Sequence, residues 1–109
     1  MKRFKLNNNY YYCPVDLTLS IIGGKWKGLV LWSLRDEPKR FSELKRNLVK
    51  INDKMLTQVL RELEEHKIIS RKVYSVVPPK VEYSLTHEGK KLIPIMKLMS
   101  NYGTRFMVK

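Results

Sequence analysis

The apolar residues of the chain fall into runs of helical spacing, interrupted once by strict alternation. After Cys13-Pro14, Leu17, Ile21 and Ile22 supply one apolar face. Proline suits a first helical turn, Asp16 sits near the positive end of the dipole, and Gly23-Gly24 stop the helix. Lys25-Trp26-Lys27 open a second helix that carries Leu29, Val30, Trp32 and Leu34 inward and ends at Asp36-Glu37-Pro38. Phe41, Leu44 and Leu48 space a third, with Ser42 in the N-cap position but Lys45 where a capping box needs an acid. Then Leu56, Val59, Leu60 and Leu63 recur at i, i+3, i+4 and i+7, one stripe of an amphipathic helix that Asn52 or Asp53 can cap.

From Ile68 the period changes to two. Ile69, Arg71 and Val73 alternate with Ser70, Lys72 and Tyr74, and after Val77-Pro78-Pro79-Lys80 the residues Val81, Tyr83 and Leu85 alternate with Glu82 and Ser84. Prolines cannot donate to a ladder, so they belong at the tip or edge of this hairpin. Thr86 and Glu88 open a last helical pattern in which Leu92, Ile95, Met96, Met99, Tyr102 and Phe106 continue a near-heptad stripe. Pro94 lies inside it and predicts a kink. This stripe exceeds what one small domain needs to bury. Either all of it caps its own domain, or its outer part meets a second copy with Tyr11 and Tyr12 alongside. Residues 1–12 read as a flexible basic and aromatic arm in which Lys2, Arg3 and Lys5 can touch phosphate or stay solvated.

Two helices joined by a tight turn and followed by a β-hairpin are a winged helix-turn-helix. The expected fold is therefore α+β and mostly helical: one domain over 13–109 with a two-stranded wing, N- and C-terminal dimerisation elements, and a last helix over about 86–107.

The chemistry sits behind the apolar stripe of the helix after Asn52. Lys54, Thr57, Gln58 and Arg61 fall on nearly the opposite face, a set of long donors with an amide and a hydroxyl. Such a face is either a solvated surface or a major-groove reader, since cations meet phosphate and Gln and Arg reach base edges in pairs of bonds. Glu62, Glu64 and Glu65 gather at the far end, where acid repels phosphate, so only the N-terminal half can enter a groove. The net charge of +12 and the 43% hydrophobic content describe a folded body that carries its charge as decoration. That pairing points to nucleic acid ahead of an anionic membrane. Arg40 and Lys45 beside the third helix, Arg71, Lys72 and Lys80 on or near the wing, and Lys25 and Lys27 at a helix start are further candidate phosphate contacts.

Other classes fit less well. His66 and His87 lie at helix ends, no P-loop, HExxH, GxSxG or CxxC pattern is present, and neither an enzyme nor a cofactor is expected. An RNA-binding or protein-binding winged helix is the competing reading, but RNA readers expose aromatics for stacking and a protein-binding module does not need this charge. No apolar run approaches the roughly 18 residues of a membrane span. A lone cysteine excludes an intrachain disulfide and fits the reducing cytoplasm.

The stretches CPVDLTLSIIGGKWKGLVLWSL, RFSELKR, INDKMLTQVLRELEEHKIISRKVY and VPPKVEYSLTHEGKKL resemble the HxlR-type bacterial transcription regulators, winged-helix proteins similar in fold to the MarR group. The likeness runs from Cys13 to about Leu92. It implies a homodimer on a pseudo-palindromic operator, with Lys54, Met55, Leu56, Thr57, Gln58 and Arg61 matching the recognition helix and VPPKVEY the wing. The family usually has Ser or Thr and a polar residue where this chain has Asn52-Asp53. Some members sense oxidants or electrophiles through a cysteine before Pro-Val, the position of Cys13; the thiolate is the reactive form, and a helix N-terminus in a basic domain favours it. The alternative is a small apolar residue in a structural place. With no second cysteine, any disulfide joins two subunits or a small thiol.

Overall fold

Asn7 adopts a left-handed conformation, φ 56°, and turns the first residues back on themselves. In the computed structural model, which describes residues 3–108, β1 (Phe4–Leu6) pairs antiparallel with β2 (Asn9–Tyr11). Over these residues the expected flexible arm is a hairpin. Asparagine tolerates the left-handed region, Leu6 packs against the core, and Arg3 and Lys5 lie over the Tyr10 ring at 4.9 and 5.6 Å from its centroid. Lys2, named above as a phosphate contact, lies outside the described residues.

The next elements follow the sequence pattern closely. α1 (Pro14–Ile22) starts from an extended Cys13 with proline in its first turn, and the chain leaves it through Gly24 at φ 77°, a conformation that suits glycine. α2 (Lys27–Ser33) is shorter than expected, because Trp26 serves as its N-cap residue and Leu34 already closes it. α3 (Phe41–Asn47) begins after Arg40 rather than after Ser42. That shift brings Glu43 to the third helical position, where its carboxylate accepts the Arg40 N–H at 2.9 Å. A guanidinium has no acceptor, so only this half of a capping box forms.

Leu48 and Ile51 are buried in the turn that leads to α4 (Asp53–Glu65). Asn52 rather than Asp53 is the cap, its Oδ1 accepting the Met55 N–H at 2.7 Å. The α4 stripe closes the core: Leu56, Val59, Leu60 and Leu63 are all 5% exposed or less, against Val30, Leu31 and Leu44 at 0%. Burial on this scale contributes about 1.5–3 kcal/mol for each large side chain.

β3 (Ile69–Tyr74) and β4 (Lys80–Leu85) form the wing, in register Ile69↔Leu85 through Tyr74↔Lys80. Lys39 extends it on the far edge of β4, exchanging backbone bonds with Tyr83 at 2.9 and 2.8 Å. Thr86 then ties the base of the wing together. Its hydroxyl donates to the Lys67 carbonyl at 2.6 Å and accepts the Gly89 N–H at 3.1 Å, capping α5 (His87–Lys90). Any side chain at position 89 would collide with the Ile68 carbonyl, so the wing base and α5 meet as closely as backbone allows.

The last helical pattern is two helices. α5 ends, and α6 (Ile93–Thr104) starts with Pro94 in its first turn. The expected kink is a helix beginning, because proline lacks only an N–H that a first turn leaves unbonded. The expected dimer stripe divides as well. Leu92 and Met96 are buried by their own chain, which corrects their assignment to an intersubunit contact, while Ile95, Met99, Tyr102 and Phe106 are exposed. Leu98 joins them, and Val15 and Leu19 on α1 are exposed too. Tyr11 is partly buried and Tyr12 exposed. Among the described residues no helix is long and apolar enough to cross a membrane.

Candidate nucleic-acid interface

One face of α4 is a polar depression lined by Asp53, Lys54, Thr57, Gln58 and Arg61. All five are exposed, because the same helical period that buries Leu56 and Leu60 turns them outward. The four donors expected from the sequence are thus brought together. At the mouth of this face Lys45 of α3 reaches back to Asp53 at 2.6 Å, neutralising the one acid at the leading end of α4.

A second concavity runs between α4 and the wing. Thr57, Leu60, Arg61 and Glu64 form one wall; Arg71, Val81 and Tyr83 form the other, with Phe41 at the floor. Arg71 and Tyr83 are paired in the wing register and so project to one face of it. Arg71 is therefore continuous with the polar face of α4. Tyr83 and Phe41 were not singled out from the sequence, although Tyr83 is in phase with Arg71 by alternation alone. Burial pushes the Tyr83 phenol above its usual value.

Lys72 and Lys80 occupy the opposite face of the wing. Their ammonium groups lie 4.8 and 4.9 Å from the Tyr74 ring centroid, and Lys80 pairs with Glu82 at 3.3 Å. Glu82 is held below the usual carboxylate range, first by a hydrogen bond from Tyr74 and also by Lys80. Arg40 lies near the start of α3 with Ser42, Glu43, Arg46 and Glu82 around it. The wing is thus basic on both faces, with the inner face reserved for Arg71.

Lys25 and Lys27 do not join this surface. Lys27 turns inward: its ammonium pairs with Glu62 at 3.3 Å and donates to the Ser20 carbonyl at 3.3 Å, with the side chain only 25% exposed. Lys25 lies over the Trp26 ring and lines a groove with Met96, Met99 and Ser100 of α6. The expectation that both hold phosphate at the start of α2 is corrected for Lys27 alone, for a simple reason. Glu62, the first acid past the recognition face, is the nearer counter-charge for Lys27.

The HxlR-like helix-turn-helix profile matches residues 21–109. The chain belongs to that family. The HxlR-like chain is 49% identical over 100 residues to the HTH-type transcriptional regulator YdeP of Bacillus subtilis, covering 92% of this chain and 78% of that one. Among solved structures it is similar to the redox regulator HypR in its oxidised form, with a TM-score of 0.84 and 48% identity over 89% of this chain and 100% of that one. It is also similar to a MarR-family regulator from Porphyromonas gingivalis W83, with a TM-score of 0.83 and 38% identity over 88% and 94% of the two chains. This HxlR-like protein is accordingly a transcriptional regulator with a winged-helix fold, as the resemblance read from its sequence implies. Cys13 is exposed and stands immediately before α1 as its N-cap residue.

Proposed function

We propose that this regulator works in the cytoplasm as a homodimer on a pseudo-palindromic operator. The N-terminal half of α4 enters the major groove with Lys54, Thr57, Gln58 and Arg61, and Arg71 follows along its edge. Arg40, Lys45, Lys72 and Lys80 meet phosphates on either side and fix the register rather than the sequence. The observation that carries this reading is the continuous surface that runs from Lys54 on α4 through Thr57 and Arg61 to Arg71 on the wing. Exposed Ile95, Leu98, Met99, Tyr102 and Phe106 on α6, with Val15 and Leu19 on α1, support a second copy as the partner.

Cys13 supplies the regulation in this proposal. It is exposed at the start of α1, the helix that carries Val15 and Leu19, so oxidation there acts beside the contact between copies. A disulfide between the Cys13 residues of two subunits, or between Cys13 and a small thiol, is the expected product. The likeness to HypR, itself a redox regulator, favours an oxidant as the signal.

The test is fluorescence anisotropy at fixed salt, using DNA from the protein's own upstream region, before and after oxidant. Size-exclusion chromatography and a non-reducing gel accompany it, and Cys13→Ser serves as control. Specific binding by a dimer, altered by oxidant in wild type and not in Cys13→Ser, is the expected result. A monomer at micromolar concentration removes the dimer, and a wild type indifferent to oxidant removes the sensor.

A further inference from the structure

The polar network on the recognition face continues past it into the fold. Gln58 Nε2 donates to Glu62 Oε1 at 3.3 Å; the other Glu62 oxygen takes the Lys27 ammonium at 3.3 Å; and that ammonium donates to the Ser20 carbonyl near the end of α1 at 3.3 Å. Glu62 is held below the usual carboxylate range, chiefly by the Gln58 amide and against the upward pull of burial, with the Lys27 bond and charge adding to the lowering. At neutral pH it is therefore a carboxylate, which can only accept.

An acceptor-only neighbour decides which way an amide faces. The Gln58 nitrogen must point to Glu62 and its oxygen away, because the flipped amide would set Oε1 against a carboxylate oxygen. An amide nitrogen carries two hydrogens. Repulsion between the carboxylate and Oε1 favours use of the hydrogen anti to Oε1, which leaves the syn hydrogen beside Oε1 along a single edge, a donor next to an acceptor. In the major groove that edge matches adenine, which offers N7 to accept and N6–H to donate. Guanine presents N7 and O6, two acceptors, and would meet Oε1 with repulsion.

We propose that Glu62, braced by Lys27, is a positioning residue that sets Gln58 to select adenine at one position of each DNA half-site. This rests on the reading of α4 as the groove-entering helix and adds what one of its residues selects. The Lys27–Glu62 pair is partly exposed, and pairs of that kind contribute little to stability. Its two residues can therefore be changed without loss of the fold.

The experiment is selection of the full chain against a randomised duplex library, with the retained duplexes sequenced, beside thermal melting and binding to a non-specific duplex. Wild type enriches adenine at a position that Gln58→Ala makes degenerate. Glu62→Leu lowers that preference by about fivefold or more, and Lys27→Met lowers it too, while both variants melt close to wild type. Their general affinities for DNA move in opposite directions, since one variant removes an acid and the other a cation. A shared loss of adenine preference against opposite changes in general affinity separates positioning from bulk charge. The proposal is overturned if Glu62→Leu keeps the wild-type preference, or if the position sensitive to Gln58 selects another base. A wild type that enriches no motif overturns it together with the DNA reading beneath it.

Discussion

α4 and α6 are helices of nearly equal length, 13 and 12 residues, and each carries an apolar stripe, yet they end in opposite conditions. α4 hides Leu56, Val59, Leu60 and Leu63 and turns a polar face outward. α6 hides Met96 but leaves Leu98, Met99 and Tyr102 at 70%, 55% and 62% exposure. One stripe is completed by its own domain, so the surface opposite it is left polar and exposed. The other is left open, which is why it is assigned above to a second copy. Similar periodicity thus serves the core in one helix and leaves an apolar face open in the other.

The comparison breaks most visibly in stability. Leu63→Ala, at 1% exposure, should cost about 2–5 kcal/mol in chemical denaturation, through lost burial and the cavity left behind. Met99→Lys should change the stability of the single chain by no more than about 0.5 kcal/mol, while size-exclusion chromatography shows loss of the dimer. Comparable destabilisation by both would mean that α6 is as much core as α4. On the polar side, Arg61→Ala should weaken binding to the specific site by about 1–3 kcal/mol, read by anisotropy at fixed salt, with relaxed base preference. Asn52→Ala removes the bond to the Met55 N–H and should lower stability by about 1 kcal/mol.

The smallest effect is a pH dependence at the boundary of the two regions. The Glu62 carboxyl lies lower in the folded chain than its ordinary value of 4.5, so its pairing contributes above that pH and is lost as the solution is acidified through the lower folded value. Glu62→Gln cannot titrate, and the lead of wild type over it should shrink on acidification below pH 4.5. A constant lead between neutral and acid solution would remove Glu62 from this role.

The α4 stripe, a cap at Asn52 or Asp53 and the alternation of the wing were legible in the sequence, because helix and strand periods and local caps act over a few residues. So was the exposed polar face of α4, which is what the stripe leaves over. Lys27 was not, since its partner Glu62 is remote in the chain and only the packing of α2 against α4 brings them together. The hairpin before Cys13 has strands of three residues, too short to show a period, and its turn depends on Asn7 entering the left-handed region. Pro94 fits the interior of a kinked helix or the first turn of a new one, and the close seat of Gly89 under Ile68 accompanies the second. The division of Arg71 from Lys72 was available from alternation, but their shared charge hid it.

The hairpin carries one more consequence. Its turn residue Asn7 meets the Nδ1 of His66, the residue that ends α4, at 3.0 Å, and its strands lie against α1 with Leu6 only partly buried. Two short strands held this lightly open at far lower cost than the packed helices. In hydrogen exchange, the amides of residues 4–11 should lose protection long before those of α4. The segment next to Cys13 can then undock and redock on its own timescale while α4 keeps its shape, giving the regulator a fast local equilibrium within a slow global one.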